Sequence, residues 1–262
     1  MGCVVVHGGG DLATGVAIRL HRSGIRVVIT ELTHPLAVRR TVSFAEAVYE
    51  GDWTVEDVTA RRVGSAAQAL ELVGSGMIPV LVAPASVLPL RFPVLVDARL
   101  TKRPGATDIA MAPLVIGLGP GFVAGTDCHA VVETKRGHTL GRVYWSGSAL
   151  PDTSTPEGDP RRVVRSPADG VLAAHVAIGE HVEAGQLIGE VNGSPVTSPL
   201  SGVVRGFIRP GLTVSKGLKI GDVDPRDVRE RCFLVSDKAL AIGGGVLEAI
   251  LARADVRDQL FR

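Results

Sequence analysis

Aromatic residues are scarce in this chain. Six Phe, two Trp and two Tyr make up 4% of 262 residues, so aliphatic side chains must fill the core. Net charge is nearly absent too, at +1, which removes the electrostatic case for nucleic acid or an anionic membrane surface as partner. There are only three cysteines, Cys3, Cys128 and Cys232, widely spaced and odd in number. That excludes a disulfide framework, and with no CxxC or His/Cys cluster no structural zinc site is expected. No apolar run reaches the ~18 residues of a membrane helix. The N-terminus reads as a strand, not as a charged segment followed by an apolar one. The expectation is a soluble, cytoplasmic protein. The remaining composition, 45% hydrophobic and 21% charged, is globular and suffices for one large domain or two smaller ones.

Glycine is plentiful, and its placement is informative. The β-branched run Val4-Val5-Val6 leads into His7-Gly8-Gly9-Gly10-Asp11-Leu12-Ala13, and an amphipathic segment follows. Gly8-x-Gly10-x-x-Ala13 fits the dinucleotide fingerprint in its strand-turn-helix setting. Gly8 permits a tight turn, Gly10 lets a pyrophosphate approach the backbone, and Ala13 lets helix and sheet pack closely. The free amides at the helix N-terminus would face the phosphate. A second apolar run ends at Glu31, where an acid that holds a ribose is expected. Glu31 favours a free 2′-hydroxyl, hence NAD over NADP. The alternative is a glycine-rich turn that binds nothing. Expected cofactor-binding residues here are Gly8, Gly9, Gly10, Asp11, Ala13 and Glu31.

Residues 1–120 alternate between strand and helix periods. Strands are expected near 3–7, 26–30, 58–63, 78–83, 93–97 and 114–118, and helices near 11–23, 43–50 and 65–74. This pattern predicts an α/β fold with a Rossmann-like, mostly parallel sheet. Ligands in such folds lie beyond the carboxyl ends of the strands. A second glycine-rich loop, Gly117-Leu118-Gly119-Pro120-Gly121, follows the strand at 114–118. Gly117, Gly119 and Gly121 could let a ligand approach, or form a plain turn. Asp127, His129 and Glu133 alternate and would share one strand face. They could bind a metal or act as an acid/base group, with Asp127 and His129 the acid/base candidates, against the reading of three polar residues on an exposed strand face. Cys128 would point the other way, buried.

Residues 151–162 read as a linker. Beyond it the sequence repeats with a period of 32. Ser166-Pro167 returns as Ser198-Pro199, Gly170-Val171 as Gly202-Val203, Gly179 as Gly211, and Ile188-Gly189 as Ile220-Gly221. Two such halves would interlock around one core. The pattern resembles the biotinyl/lipoyl barrel-sandwich hybrid. Those carriers present a modifiable lysine between the halves. Here the turn is Asn192-Gly193-Ser194-Pro195, with no lysine between Lys135 and Lys216, so attachment is excluded there. The expected organisation is a Rossmann-like nucleotide-binding domain at 1–150, a linker at 151–162, a lipoyl-like β domain at 163–224, and C-terminal helices at 225–262 packing on the first domain.

Several segments in combination resemble one family. They are Gly8–Gly15, Pro35–Val48, Val96–Arg99, Pro113–Phe122, His129–His138 and Lys219–Arg226. The family is the accessory protein of the selenium-dependent molybdenum hydroxylase system, whose Rossmann part is similar to xanthine dehydrogenase maturation factors. The resemblance implies a nucleotide-binding accessory protein that handles molybdenum cofactor. Its ligand would be NAD or a molybdopterin nucleotide, and its partner a molybdenum hydroxylase apoenzyme. A homodimer is expected as well. The alternatives are an NAD-dependent oxidoreductase on a small substrate and a non-enzymatic scaffold. Arg39 and Arg40 gain interest as an oxyanion-binding pair, or they form a solvated basic corner. Asp97 and Arg99 could read a ligand group, or pair with each other or with Lys102 and Arg103.

Overall fold

Val4, Val5 and Val6 are fully buried, as a β-branched run covered on both faces should be. They form β1 (Val4–His7), the middle strand of a large sheet. The computed structural model describes residues 2–83, 92–101, 107–152 and 158–261. Lys102, Arg103 and residues 153–157 of the expected linker lie outside them. The chain divides into two compact units. One is Met1–Pro35, Phe44–Thr153 and Val235–Arg262, and the other is Leu36–Ser43 and Ser154–Leu234.

In the first unit β1 leads into α1 (Asp11–Arg22) and β2 (Val27–Glu31). Then come α2 (Ala47–Glu50), β3 (Asp52–Val55), β4 (Val58–Val63), α3 (Ala66–Leu72), β5 (Ile78–Val82), β6 (Val94–Asp97) and β7 (Leu114–Leu118). Shorter strands follow: β8 (Val123–Ala124), β9 (Ala130–Val132), β10 (Val143–Tyr144) and β11 (Gly147–Ser148). Nine of these form one sheet in the order β10-β9-β7-β6-β1-β2-β5-β4-β3, and β8 and β11 pair separately. Pairings from β4 across to β9 are parallel, while β3–β4 and β9–β10 are antiparallel. The sheet is therefore mixed, parallel in six of its eight pairings with an antiparallel strand at each edge, and these edges are what depart from the expected Rossmann-like, mostly parallel one. The physical reason at one edge is the two-residue link between Val55 and Val58. A hairpin that tight joins only antiparallel strands, whereas parallel ones need a long crossover.

Alternate residues of the strands point to opposite faces. Val5, Val28, Leu95, Val115 and Val131 join one buried cluster with Phe122 and Cys128. The C-terminal segment of this unit supplies α4 (Asp237–Leu251) and α5 (Ala254–Leu260). Helix α4 meets α1 almost backbone to backbone. A Cβ on Gly15 would stand 2.5 Å from that of Ala239, and one on Gly243 2.8 Å from the Gly15 carbonyl oxygen. A Cβ on Gly245 would strike the Gly141 carbonyl oxygen. The glycines of the 243–245 triplet that face inward thus serve close packing. Among the described residues no helix is long and apolar enough to cross a membrane.

The second unit carries the repeat. Its strands are β12 (Val163–Arg165), β13 (Gly170–Ala174), β14 (His181–Val182), β15 (Leu187–Val191), β16 (Ser194–Thr197), β17 (Gly202–Phe207), β18 (Thr213–Val214) and β19 (Lys219–Asp224). They make two four-stranded antiparallel sheets, β12-β19-β17-β14 and β16-β15-β13-β18. Each sheet takes strands from both copies of the repeat. Matched residues do matched work: Ser166 Oγ donates to the Ala168 carbonyl at 2.6 Å, and Ser198 Oγ to that of Leu200 at 2.7 Å. Asn192 and Gly193, with φ of 47° and 78°, make the tight β15–β16 hairpin. The expected lipoyl-like barrel-sandwich domain is replaced by these two sheets together with a strap from far upstream. Leu36–Ser43 packs into this unit, with Val38 against its core and a Cβ on Gly206 only 2.8 Å from the Val38 carbonyl oxygen.

Candidate functional site

Strand β1 ends at His7, and the chain turns at Gly8 with φ +91°. That conformation is open to glycine and strained for most other residues. The Gly8 amide donates to the Thr30 carbonyl at 2.9 Å, which ties the turn to the end of β2. The Gly9 amide donates to Glu31 Oε2 at 2.6 Å, and the Leu32 amide to Glu31 Oε1 at 2.7 Å. The Gly9 carbonyl accepts from the Ala45 amide at 2.8 Å and from Thr14 Oγ1 at 3.2 Å. Thr14 Oγ1 in turn accepts from the Phe44 amide at 2.9 Å. A Cβ on Gly9 would stand 2.8 Å from the Ala45 nitrogen, so Gly9 is small to admit its own chain.

Gly10 is different. It is the N-cap of α1, and among the described residues no side chain caps the helix there and nothing lies within 4 Å of where its Cβ would be. The positive end of this twelve-residue helix is thus left without a side-chain cap among the described residues. Asp11 stands in its first turn. Ala13 is fully buried. Gly8, Gly9, Gly10, Asp11, Ala13 and Glu31 are therefore gathered at one place, the carboxyl ends of β1 and β2.

The neighbouring strand contributes a charged cluster. His7 pairs with Asp97 across β1 and β6. Asp97 is fully buried and takes a bidentate guanidinium from Arg99, with Nη2 at 2.5 Å and Nε at 3.0 Å. Thr107 Oγ1 donates to it at 2.6 Å. Burial pushes the Asp97 carboxyl up, but the bonds from Arg99 and Thr107 together hold it below its ordinary value. Asp97 and Arg99 therefore pair with each other. His7 is 3% exposed, and neither ring nitrogen has a hydrogen-bond partner among the described residues. Burial drives its pKa down to about 4. The Asp97 charge opposes this and the Arg99 charge adds to it. Burial likewise raises the Glu31 carboxyl, against the two amide bonds. Sequence reasoning missed His7 and Thr107. The signal for His7 was a lone polar residue closing a buried β-branched run.

The other expected site residues go elsewhere. Gly117 and Gly119 are packing glycines: a Cβ on the first would strike the Phe122 ring, and one on the second would meet Thr134 Oγ1 at 2.5 Å. Gly121 shapes the turn with φ +107°. Asp127 accepts from the Val123 amide at 2.9 Å, and His129 Nδ1 from the Val115 amide at 3.0 Å. Val115 is near the start of β7, so His129 sits toward the amino ends of the parallel strands, not beside Gly10. Burial lowers the His129 pKa, the charge of Arg253 adds to this, and Asp255 opposes it. Glu133 is buried and spent on the Lys135 and Leu150 amides. The three do not share one strand face, because β9 spans only Ala130–Val132. Cys128 is buried, and burial raises its thiol to about 11. Among the described residues no group of three or more His, Cys, Asp or Glu could hold a metal. Arg39 and Arg40 belong to the second unit. Arg39 Nη2 donates to the Arg231 and Leu234 carbonyls, each at 3.1 Å, and Arg40 Nε to that of Phe207 at 3.2 Å.

No protein-family model matches the chain. Among curated proteins it is 48% identical over 254 residues to the uncharacterized protein YqeB of Escherichia coli K12. The match takes in 95% of this chain and 47% of that protein, so the chain spans about half the length of the curated relative it matches. Among solved structures it is similar to an aspartoacylase family protein of Mesorhizobium loti at 15% identity, covering 85% of each chain with a TM-score of 0.28. The ectoine utilization protein EutE (DoeB) of Ruegeria pomeroyi matches at 14% identity and a TM-score of 0.27, over 85% of this chain and 86% of that one. Likenesses that slight lend this chain neither a fold nor an activity. These findings correct the resemblance drawn from the sequence. They point to no accessory protein of a molybdenum hydroxylase, whether selenium-dependent or of the xanthine dehydrogenase type. The Rossmann and lipoyl labels and the maturation function fall with it.

Proposed function

We propose that the first unit binds a dinucleotide, with its pyrophosphate on the N-terminal end of α1 and NAD as the ligand. One observation carries this reading: among the described residues no side chain caps the helix end at Gly10, and nothing lies within 4 Å of a Cβ built there. Such an end offers backbone amides and half a positive charge to an anion. The loop is already rigid, since Gly9 is tied to Glu31, Thr14 and Ala45, so little ordering is needed on binding. Glu31 supports the ribose. A carboxylate has about four lone-pair positions, and two bonds to Glu31 oxygens are made, by Gly9 and Leu32. His7 adds a neutral imidazole at the end of β1, and neither of its nitrogens has a hydrogen-bond partner among the described residues.

Calorimetric titration of NAD into the wild type and Gly10→Val tests this. The backbone of Gly10, at φ −65°, accepts valine without strain, so the substitution acts on the open space alone. Saturable binding that is lost in the variant supports the reading, and no binding to the wild type removes it.

A further inference from the structure

The two copies of the repeat tie down matching turns with different chemistry. In one, the Lys216 amide donates to Asp169 Oδ1 at 2.8 Å. The positions that match these two are Ala184 and Ser201, and there the Ala184 amide donates to Ser201 Oγ at 3.0 Å. A hydroxyl can also donate, and Ser201 Oγ does so to Glu183 Oε2 at 2.7 Å. The other Glu183 oxygen, Oε1, lies 3.2 Å from His181 Nε2, and His181 Nδ1 lies 2.9 Å from Asp227 Oδ1. Thr213 and Ser215 stand where a second His181 and Glu183 would be, and neither carries a charge. A titratable chain of side chains therefore exists in one copy alone. Both ring nitrogens of His181 face a carboxylate oxygen. A carboxylate only accepts, so both contacts are hydrogen bonds only when the ring holds two protons and a positive charge. Asp227 and then Glu183 raise the ring's pKa above the ordinary 6.5. On β17, which pairs with β14, the residue opposite His181 is the uncharged Val203. Arg226 and Arg229, on either side of Asp227 in sequence, are engaged with Asp224 at 2.6 Å and over the Phe233 ring at 5.3 Å.

We propose that His181 is a proton switch for the turn at 183–186, between β14 and β15. Charged, the ring bridges Asp227 to Glu183, and Glu183 keeps Ser201 on the Ala184 amide. Bonds from Ser201 and His181 lower the Glu183 pKa, so its charge is in place where the ring titrates. When the ring gives one proton to solvent, the other stays on Nδ1, toward the shorter contact with Asp227. Nε2 then turns a lone pair on Glu183, the two repel, and Ser201 loses the partner that orients it. The turn is clasped below pH 6.5 and loosens as pH rises through the raised pKa of the folded ring. The switch is independent of the dinucleotide reading, since its residues and Gly10 belong to different units.

NMR of the full chain across the range where histidine titrates tests this. The His181 ring should show a midpoint above 6.5. As pH rises through that midpoint, the protection factor of the Ala184 amide, which removes the intrinsic pH dependence of exchange, should fall about 2- to 5-fold, the size expected of one exposed charged contact. The Lys216 amide, held by Asp169 in the other copy, should show no such step. In His181→Gln the Ala184 step should vanish. Asp227→Asn keeps a side chain that tolerates the φ of +54° at this position, and it should lower the ring's midpoint. The wild-type titration carries the test should a variant fail to fold. A ring midpoint at or below 6.5, an Ala184 amide that does not follow the ring, or a step of equal size at Lys216 overturns the proposal. So does an unchanged midpoint in Asp227→Asn.

Discussion

The Glu31 carboxylate holds the Gly9 amide at 2.6 Å, across 22 residues of sequence. The acid that ends β2 therefore fastens the glycine turn that ends β1. On the dinucleotide reading it has two duties at once, loop anchor and ribose acceptor. Replacing Glu31 by Ala should cost about 1–3 kcal/mol of stability, the value of a bond to a charged acceptor. It should also narrow the preference for NAD over NADP. Paired titrations of both cofactors into wild type and variant measure the second effect. Equal affinities for the two cofactors in the wild type would take Glu31 out of the ligand's reach.

His7 makes the stability of the fold depend on acid. Its folded-state pKa of about 4 lies below the ordinary 6.5, so the unfolded chain takes up the proton first. The stabilisation is whole above pH 6.5 and is lost as pH falls toward 4. At ~1.4 kcal/mol per unit the loss approaches about 3 kcal/mol. Urea unfolding at pH 7 and pH 4.5 should show it in the wild type. His7→Leu should flatten that slope, and an unchanged slope would contradict the burial of a neutral imidazole.

Adjacent glycines in α4 should respond in opposite directions. Among the described residues a Cβ at Gly244 meets nothing within 4 Å, and at Gly245 it strikes the Gly141 carbonyl oxygen. Gly244→Ala should stabilise the protein by up to ~1 kcal/mol through helix propensity. Gly245→Ala should destabilise it by about 1–3 kcal/mol, as overpacking against backbone does. Thermal melts of the two variants decide the matter, and shifts of the same sign would be inconsistent with the packing described.

What could be read from the sequence was whatever is encoded locally. The run from Val4 to Ala13 shows strand, turn and helix start within ten residues, and the structure gathers Gly8, Gly9, Gly10, Ala13 and Glu31 together. The repeat was visible because both copies keep the same residues at the same tasks, as Ser166 and Ser198 do. The strap at Leu36–Ser43 was not legible. Its bonds run to residues about 190 positions later, such as Arg39 to Arg231, and no local pattern announces them. The two-residue strands β8, β10 and β11 are too short to carry a period. Reading 127–133 as one alternating strand failed because Asp127 folds back on the Val123 amide. The loss of that face separates Asp127 and His129 from the glycine turn, and with it the only acid/base pair proposed from sequence.

The most direct test of the central claim is the affinity of NAD for the wild type beside that for Gly10→Val, measured by calorimetry at one salt concentration with both proteins shown folded by thermal melt. The account predicts one site per chain in the wild type and a loss of ~10-fold or more in the variant, because the valine side chain occupies the space where the pyrophosphate meets α1. A wild type that binds no NAD, or a variant that binds it equally well, would contradict it.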